Sequence, residues 1–401
     1  MKVVFVTSYG FNAQMRNFLE YILARLLVKN GATVLAFAKP EIGEKAFYEL
    51  DGVRIYKPRS FVRGVWYLAG HIIFSRPDLI HVFNARNNRF GAPAAILAKI
   101  LNIPLMFTEY GLLHDHYLVT DRDDPFPYVE KVQWDRPIMA FKKVFRDKNV
   151  IGNLRNYIFH LPMSLADKVI FVSKHNLEIA RKLGLKDFQY LPYIFDEEIF
   201  KTGGAKDGDT ERLSILKKYG GGNPILFVGQ LKLRKGWDII LEAMPLIEKN
   251  LDARLIFITS GTDQETPELT KKIENLGIRN QVIFLGTAGV EVLRAAYKNC
   301  KMVIVPSRYE GFGLAVIEAW EMGKPVIASD VPAINEHVEN NRNGILVPPK
   351  DSKKLAGAIN LLLKNKTLGE KLVKNGTETL NELKSTPQKN KWLEFYGKPT
   401  S

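Results

Sequence analysis

The sequence has few of the features that mark secreted, disulfide-bonded or membrane-spanning proteins. Its 401 residues include one cysteine, Cys300, which cannot form an intramolecular disulfide and whose apolar setting predicts a structural thiol in a reducing compartment. The longest mostly apolar run, 64–74, has about half of the roughly 20 residues that span a bilayer. The first six residues lack the basic region and the cleavage site of a signal peptide. We therefore expect a cytoplasmic protein without a membrane span.

Signatures of a bound metal are also scarce. His114 and His116 share one loop, but no cysteine or further histidine lies near them at a spacing typical of zinc. The triplets 121–123 and 207–209 have the Asp-x-Asp form that can hold a metal-bound diphosphate, although triplets this short arise by chance. We expect no bound metal and no resident cofactor.

The charge balance is strongly basic. Lysine and arginine number 57 against 43 acidic residues, which gives a net charge of +14. Such an excess favours an anionic partner, which could be a nucleotide, a phospholipid head group or a nucleic acid. Charge alone does not select among these three.

Short apolar runs alternate with amphipathic stretches along most of the chain. This is the pattern of βαβ units, in which a parallel sheet is buried on both faces. Predicted strands cover 2–7, 33–38, 79–83, 104–108, 168–172, 224–229, 254–259, 281–285, 302–306 and 325–328.

The alternation lapses between residues 190 and 223, where glycine clusters favour a flexible connection. We therefore predict two doubly wound α/β domains, 1–189 and 190–384, joined by a hinge. Ligands of such sheets bind beyond the carboxyl ends of the strands. A cleft between two facing domains is where we expect the chemistry.

The most informative stretch runs from residue 305 to 328. A predicted strand ends at Pro306, a turn follows, and a helix begins near Gly313, so the backbone N–H groups at 312–315 form an anion site suited to a diphosphate. Glu310 lies in the turn. Glu318 lies about one turn into the helix, where a carboxylate can accept hydrogen bonds from both hydroxyls of a ribose.

This stretch resembles the retaining glycosyltransferases of family four. Glu310 and Glu318, with seven residues between them, match that family's pair of glutamates, and the block 227–237 resembles its Gly-Arg-Leu turn and Lys-Gly helix start. The stretch 166–173 resembles the strand that closes the family's first domain. The resemblance covers nearly the whole chain and is strongest over 224–350. It implies the GT-B fold of two facing Rossmann-like domains, with a last helix, 385–401, that packs back on the first domain.

The resemblance also assigns roles by position. Lys235 would hold the donor diphosphate, Glu318 the ribose and Glu310 the hydroxyls of the donor sugar. A lysine and a helix N-terminus would then stabilise the leaving nucleoside diphosphate in place of a metal. The other matching positions are Gly10 and Gly229 in the first turn of each domain, Phe312, Gly313 and Leu314 around the phosphate, and Gly286 and Ala288 along the base pocket.

Two departures bear on activity. Gln230 occupies the place of an arginine that usually contacts the diphosphate, and either Lys232 or Arg234 could supply that charge. The stretch 107–111 resembles an acceptor-side Thr-x-His-Gly motif with Tyr110 in the place of the histidine. Tyr110 is either a hydrogen-bonding residue of the acceptor site or a core tyrosine at a strand end.

These features predict a metal-independent, retaining hexosyltransferase that moves a sugar from a nucleoside-diphosphate sugar to a saccharide or lipid-linked saccharide. Two alternatives stay open, a nucleotide-sugar epimerase of the same fold and an inactive sugar-nucleotide sensor. We expect no nucleic-acid partner.

The acceptor side contains a stretch, 136–148, that interleaves apolar and basic residues at roughly helical spacing. Ile138, Phe141, Val144 and Phe145 would share one face of such a helix. The face would either pack on the first domain or bind an anionic membrane surface, which would place the protein on the inner face of the membrane.

Overall fold

A computed structural model describes the chain except for residues 8–10, 12–17, 41–44, 85–87, 112–140, 146–149, 183–184, 186, 196–207, 220, 260–263 and 398–401. The chain divides into two compact units. Of the described residues, those up to 195 and those from 383 to 397 belong to the first unit, and 208–382 belong to the second. The first unit thus continues past residue 189, where the sequence placed the end of the first domain.

The first unit is built on one eight-stranded sheet. Its strands are β1 (Lys2–Thr7), β2 (Thr33–Phe37), β3 (Phe47–Leu50), β4 (Val53–Tyr56), β5 (Leu79–Phe83), β6 (Leu105–Glu109), β7 (Lys168–Phe171) and β8 (Phe188–Tyr190). They lie in the order β3-β4-β2-β1-β5-β6-β7-β8, in which β3 is antiparallel to β4 and the other pairs are parallel.

Helices cover this sheet. They are α1 (Leu19–Lys29), α2 (Phe61–Ser75), α3 (Gly91–Ile100), α4 (Val150–Leu165), α5 (Lys174–Lys182) and, from the end of the chain, α13 (Thr386–Phe395). The strand β1 is apolar and almost fully buried from Val3 to Val6 because helices pack on both of its faces. The indole N–H of Trp392 in α13 donates to the carbonyl of Pro192 at 2.9 Å, which fixes the last helix to the first unit.

The second unit has a parallel sheet of its own. Its strands are β9 (Asn223–Val228), β10 (Ala253–Thr259), β11 (Val282–Thr287), β12 (Met302–Val305), β13 (Val326–Ser329) and β14 (Ile345–Val347), in the order β11-β10-β9-β12-β13-β14. Its helices are α6 (Asp209–Tyr219), α7 (Trp237–Ala243), α8 (Pro267–Asn275), α9 (Val290–Asn299), α10 (Leu314–Glu321), α11 (Ser352–Lys364) and α12 (Lys366–Lys384). The predicted class, two doubly wound α/β units with parallel sheets, is confirmed.

Two further sequence-based expectations can be compared with the described residues. Cys300 follows α9, is buried, and forms no disulfide; burial raises the pKa of its thiol to about 12. Of the stretch 136–148, only 141–145 is described, and it forms a 3₁₀ helix. Val144 is buried there while Phe141 and Phe145 are exposed, so these apolar side chains do not all pack into the first unit. Ile138 lies outside the described residues.

No helix in the described part of the chain is both long enough and apolar enough to cross a bilayer.

Candidate functional site

The candidate site lies where the strand order of the second unit reverses its winding direction. The strand β9 lies between β10 and β12, so the chain winds outward first on one side of β9 and then on the other. Ligands of doubly wound sheets bind at such a point, beyond the carboxyl ends of the strands. Lys235 lies on the loop after β9 and Glu310 on the loop after β12.

A glycine lets these two loops approach each other. Gly236 follows a 3₁₀ turn, Leu233–Lys235, and has a left-handed φ of +68°. A Cβ atom at this position would lie 1.8 Å from the carbonyl oxygen of Pro306. Only glycine therefore fits, both for its φ and for the close contact between the two backbones.

Lys235 and Glu310 meet across this contact. The Lys235 ammonium donates to Oε1 of Glu310, which also accepts a hydrogen bond from the Ser307 hydroxyl at 2.9 Å. Arg234 Nη1 lies 3.9 Å from the other carboxylate oxygen. Burial alone would raise the pKa of Glu310, but the charges of Lys235 and Arg234 and the two hydrogen bonds bring it below its ordinary value. Glu310 is therefore a buried carboxylate beside two cations.

A second buried ion pair fastens the same two loops. The Arg308 guanidinium binds both carboxylate oxygens of Asp238, at 2.7 and 2.6 Å, and also donates to the Leu233 carbonyl at 2.6 Å. The Arg308 backbone N–H donates to the carbonyl of Arg234 at 2.8 Å. A bidentate pair of this kind fixes orientation as well as distance. This pair could not be predicted from the sequence pattern, because the partners are 70 residues apart.

The turn then leads into α10. Gly313, with a φ of +87°, is the residue before the helix, and Leu314 is its first residue. The first N–H groups of a helix have no partner within the helix and attract anions. The ring of Phe312 stacks on that of His337, with 4.8 Å between the centroids and 18° between the planes. His337, which the sequence did not single out, thus lies against the predicted phosphate loop.

Glu318 lies within α10 and is mostly buried. Its Oε2 accepts a hydrogen bond of 2.8 Å from the hydroxyl of Tyr297, a residue of α9. Burial and the charge of Glu318 raise the pKa of Tyr297 well above its ordinary value, so the phenol keeps its proton and the hydrogen bond. The Glu318 side chain is held in one orientation by a neighbour that the sequence did not identify.

The predicted base pocket lies after β11. Ala288 is partly exposed there, and the next N–H, of Gly289, donates to Asp209 Oδ1 at 3.1 Å. Asp209 is buried and lies 3.4 Å from Arg212 Nη1. Asp209, the last residue of the triplet 207–209, therefore holds the base-pocket loop, while Asp207 lies outside the described residues. Among the described residues, no group of three or more histidine, cysteine, aspartate or glutamate side chains converges as a metal site would.

Two more of the predicted positions can be placed on the loop after β9. The N–H of Gly229 donates to the carbonyl of Ile258 at 3.1 Å, and a Cβ atom on Gly229 would lie 3.8 Å from Cδ of Lys235. Gln230 and Lys232 are both partly exposed. Of the two candidates for the missing cation, Arg234 is the one that the structure places beside Glu310.

Tyr110 belongs to the first unit, at the carboxyl end of β6. Its hydroxyl donates to Glu20 Oε1 at 2.8 Å, and the Thr7 hydroxyl donates to the same oxygen at 2.8 Å. Its backbone N–H donates to Asn84 Oδ1 at 3.2 Å. Burial raises the pKa of Glu20 in spite of the two hydroxyl donors. This cluster joins residues at or after the carboxyl ends of β1, β5 and β6, again beside a change of winding direction. Three other residues that the sequence analysis named, Gly10, His114 and His116, lie outside the described residues.

The chain is similar to known proteins in sequence. Residues 209–379 match the family described as Glycosyl transferases group 1. An alpha-D-kanosaminyltransferase of Streptomyces kanamyceticus is 33% identical over 175 residues, which cover 42% of this chain and 45% of that relative. The N,N'-diacetylbacillosaminyl-diphospho-undecaprenol alpha-1,3-N-acetylgalactosaminyltransferase of Campylobacter jejuni is 26% identical over 351 residues, covering 84% of this chain and 82% of that relative. The chain spans about half the length of several curated relatives that it matches.

Solved structures show the fold. A crystal structure of HepE from Anabaena in complex with UDP-glucose has a TM-score of 0.71 at 19% identity, with 99% of each chain covered. The two parallel-sheet units are therefore those of the GT-B fold. Residues 209–379, which lie within the second unit, are thus similar in sequence to the glycosyl transferases group 1 family.

Proposed function

We propose that the protein is a retaining, metal-independent glycosyltransferase of family four that moves a sugar from a nucleoside-diphosphate sugar to an acceptor hydroxyl. The observation that carries this proposal is the pair of Lys235 and Glu310 at the winding change between β9 and β12, directly before the start of α10. Cations and helix N–H groups at one crevice suit a diphosphate, and a buried carboxylate beside them suits the hydroxyls of a sugar.

The proposed reaction needs little from the protein beyond charge and orientation. The bond between the anomeric carbon and the phosphate oxygen breaks, a bond to the acceptor oxygen forms on the same face, and the acceptor proton passes to the departing phosphate oxygen. Negative charge grows on the diphosphate as the bond breaks. Lys235, Arg234 and the N–H groups of 312–314 would stabilise that charge more strongly in the transition state than in the ground state.

Glu310 would orient the donor sugar. Since the cations beside it lower its pKa, it stays ionised and can accept hydrogen bonds from sugar hydroxyls at neutral pH. Glu318, held by Tyr297, would do the same for the ribose, and the loop at Ala288 would contact the base. Arg308 and Asp238 would position Lys235 and Glu310 without touching the donor.

The acceptor would be a saccharide or a lipid-linked saccharide. The name of the Campylobacter jejuni relative includes a diphospho-undecaprenol, a lipid-linked acceptor, which supports the second class. Tyr110 would line the acceptor side; because its hydroxyl already donates to Glu20, it would offer the acceptor a lone pair rather than a proton. The buried thiol of Cys300 accords with a cytoplasmic setting.

The proposal is tested by incubating the protein with a panel of nucleotide sugars that carry a label in the sugar. Slow donor hydrolysis that releases a sugar of retained anomeric configuration is the expected result, with one donor clearly preferred. Epimerisation at C2 would favour the epimerase, and tight binding without turnover, with or without saccharide acceptors, would favour the sensor. A Glu310→Gln variant should lose hydrolysis of the donor. This loss would show that the hydrolysis occurs at the proposed donor site and is not due to a contaminating enzyme.

A further inference from the structure

Three neighbouring helices of the first unit, α2, α3 and α4, contain no acidic residue. They have 15, 10 and 16 residues, whereas 43 of the 401 residues in the whole chain are acidic. The helix α3 packs against both α2 and α4, and the inner sides of all three contribute to one core cluster on the sheet. Their outer sides therefore form one continuous surface, which we call the α2–α4 face.

This face exposes large apolar side chains. On α2, Phe74 is 89% exposed, Trp66 75% and Val62 62%. On α4, Ile151 is 85% exposed, and on α3, Ile100 is 69% exposed. The other exposed apolar side chains of this face are Phe61, Tyr67, Ile73, Ile96, Leu154 and Ile158, together with Phe141 and Phe145 of the 3₁₀ helix beside α4. A surface helix of a globular protein normally has a polar outer side, so apolar residues on both sides indicate an apolar partner.

The charges around the face are positive. Arg63 on α2 and Arg155 on α4 are exposed, and Arg59 and Arg76 flank α2 at its two ends. Lys99 on α3 is paired with Asp167, which follows α4. With arginines and no carboxylate inside the three helices, the face matches a partner that is both apolar and anionic.

A concavity beside α2 has the chemistry of an interfacial site. It has a volume of about 780 Å³ and is lined by Arg63, Trp66, Tyr67, His71 and Phe74, with Tyr56 stacked on Tyr67 at 4.1 Å between ring centroids. Tyrosine and tryptophan rings are favoured where an apolar layer meets water, since one end of each ring is apolar and the other is polar. An arginine among such rings can bind a lipid phosphate.

We propose that the α2–α4 face docks on the surface of a bilayer that contains anionic phospholipid. Trp66 and Phe74 would enter the headgroup region, and Arg63 would contact phosphates beside them. A second copy of the chain is a poorer occupant. A two-fold contact through this face would bring the arginines of both copies together, and the three helices offer no carboxylate to pair with them.

Co-sedimentation with vesicles of 30% phosphatidylglycerol in phosphatidylcholine tests the proposal on the full chain. The wild type should bind at low salt, detach as ionic strength rises, and bind vesicles of pure phosphatidylcholine weakly. The variant Trp66→Ser/Phe74→Ser should partition on the order of 100-fold less, because two large side chains no longer enter the interface. Arg63→Gln/Arg155→Gln should lose most of the dependence on salt.

Matched controls keep the test specific. Phe47→Ser/Leu361→Ser removes two apolar side chains that are 50% and 47% exposed but lie on β3 and α11, and it should bind vesicles like the wild type. Nucleotide-sugar binding should be unchanged in every variant, which shows that each is folded.

Several outcomes would overturn the proposal. One is equal vesicle binding by Trp66→Ser/Phe74→Ser and the wild type, and another is no binding by the wild type. A third is a dimer without lipid that Trp66→Ser/Phe74→Ser dissociates, since the face would then belong to a second copy. If Phe141→Ser/Phe145→Ser abolished binding while Trp66→Ser/Phe74→Ser bound like the wild type, the docking segment would be 136–148 instead.

Discussion

Substitution of Gly236 by alanine should separate the two loops that form the proposed donor site. A Cβ atom at this position would lie 1.8 Å from the Pro306 carbonyl oxygen, and real Cβ contacts are essentially never under 3.0 Å. Both groups are backbone, so no side-chain rotation relieves the overlap. The loops must therefore move apart by on the order of 1 Å, and a misplacement of that size can lower turnover about 100-fold. The left-handed φ of an alanine adds about 1 to 2 kcal/mol of destabilisation.

Gly277→Ala is the matched control. Gly277 has a φ of +65°, close to the +68° of Gly236, but its Cβ would have no heavy atom within 4 Å. The alanine φ should cost both variants a similar unfolding free energy, measured by urea denaturation, and Gly236→Ala should lose more because its overlap with Pro306 must also be relieved. Only Gly236→Ala should also lose donor affinity and turnover. Equal turnover by the two variants would refute the idea that the contact between Gly236 and Pro306 holds Lys235 beside Glu310.

The remaining predictions concern single side chains of the second unit. Lys235→Ala should lose about 2 to 4 kcal/mol of transition-state stabilisation, mostly in kcat, and wild-type turnover would remove Lys235 from the mechanism. Glu318→Gln should weaken nucleotide binding about tenfold with little change in kcat, because a ribose contact is the same in ground and transition states; unchanged affinity by calorimetry would contradict this. The pKa of Glu310 is lowered in the folded protein from its ordinary value of 4.5. Its ion pair therefore stabilises the fold at pH values above 4.5, and this stabilisation is lost as the pH falls below 4.5 toward the lowered pKa. Urea unfolding from pH 6 to 3 should therefore show a steeper loss for the wild type than for Glu310→Gln, and parallel curves would argue against the pair. Cys300, with a pKa of about 12, should react with a thiol reagent only after unfolding, so rapid labelling of the native protein would show that it is accessible.

The buried parallel strands could be predicted from the sequence because their environment leaves little choice of residue. The strand β1, Lys2–Thr7, is a continuous apolar run bounded by polar residues, and the structure has it at the predicted position. The hairpin of β3 and β4 was not predicted. Its strands are only four residues long and partly exposed, so the apolar pattern is weak. The signal that was available is the Asp51–Gly52 turn, in which both residues have positive φ, since this dipeptide is typical of a two-residue hairpin.

The candidate site was only partly predictable. Lys235 and Glu310 follow strands that the sequence identifies, and a parallel sheet brings the ends of neighbouring strands to one edge. The pair of Arg308 and Asp238 depends on how two loops pack, and no periodicity carries that information. The run 64–74 is too short for a membrane span, and the sequence does not say which side of such a helix is covered; the exposure of Trp66 and Phe74 follows from tertiary packing alone.

A crystal structure of the protein with the nucleoside diphosphate of its preferred donor would test the proposed donor site most directly. The predicted result is a diphosphate within hydrogen-bond distance of Lys235 Nζ and of backbone N–H groups at 312–314, with the ribose hydroxyls on the carboxylate of Glu318. A nucleotide bound away from the crevice between β9 and β12, with Lys235 still paired only to Glu310, would contradict the proposed mechanism.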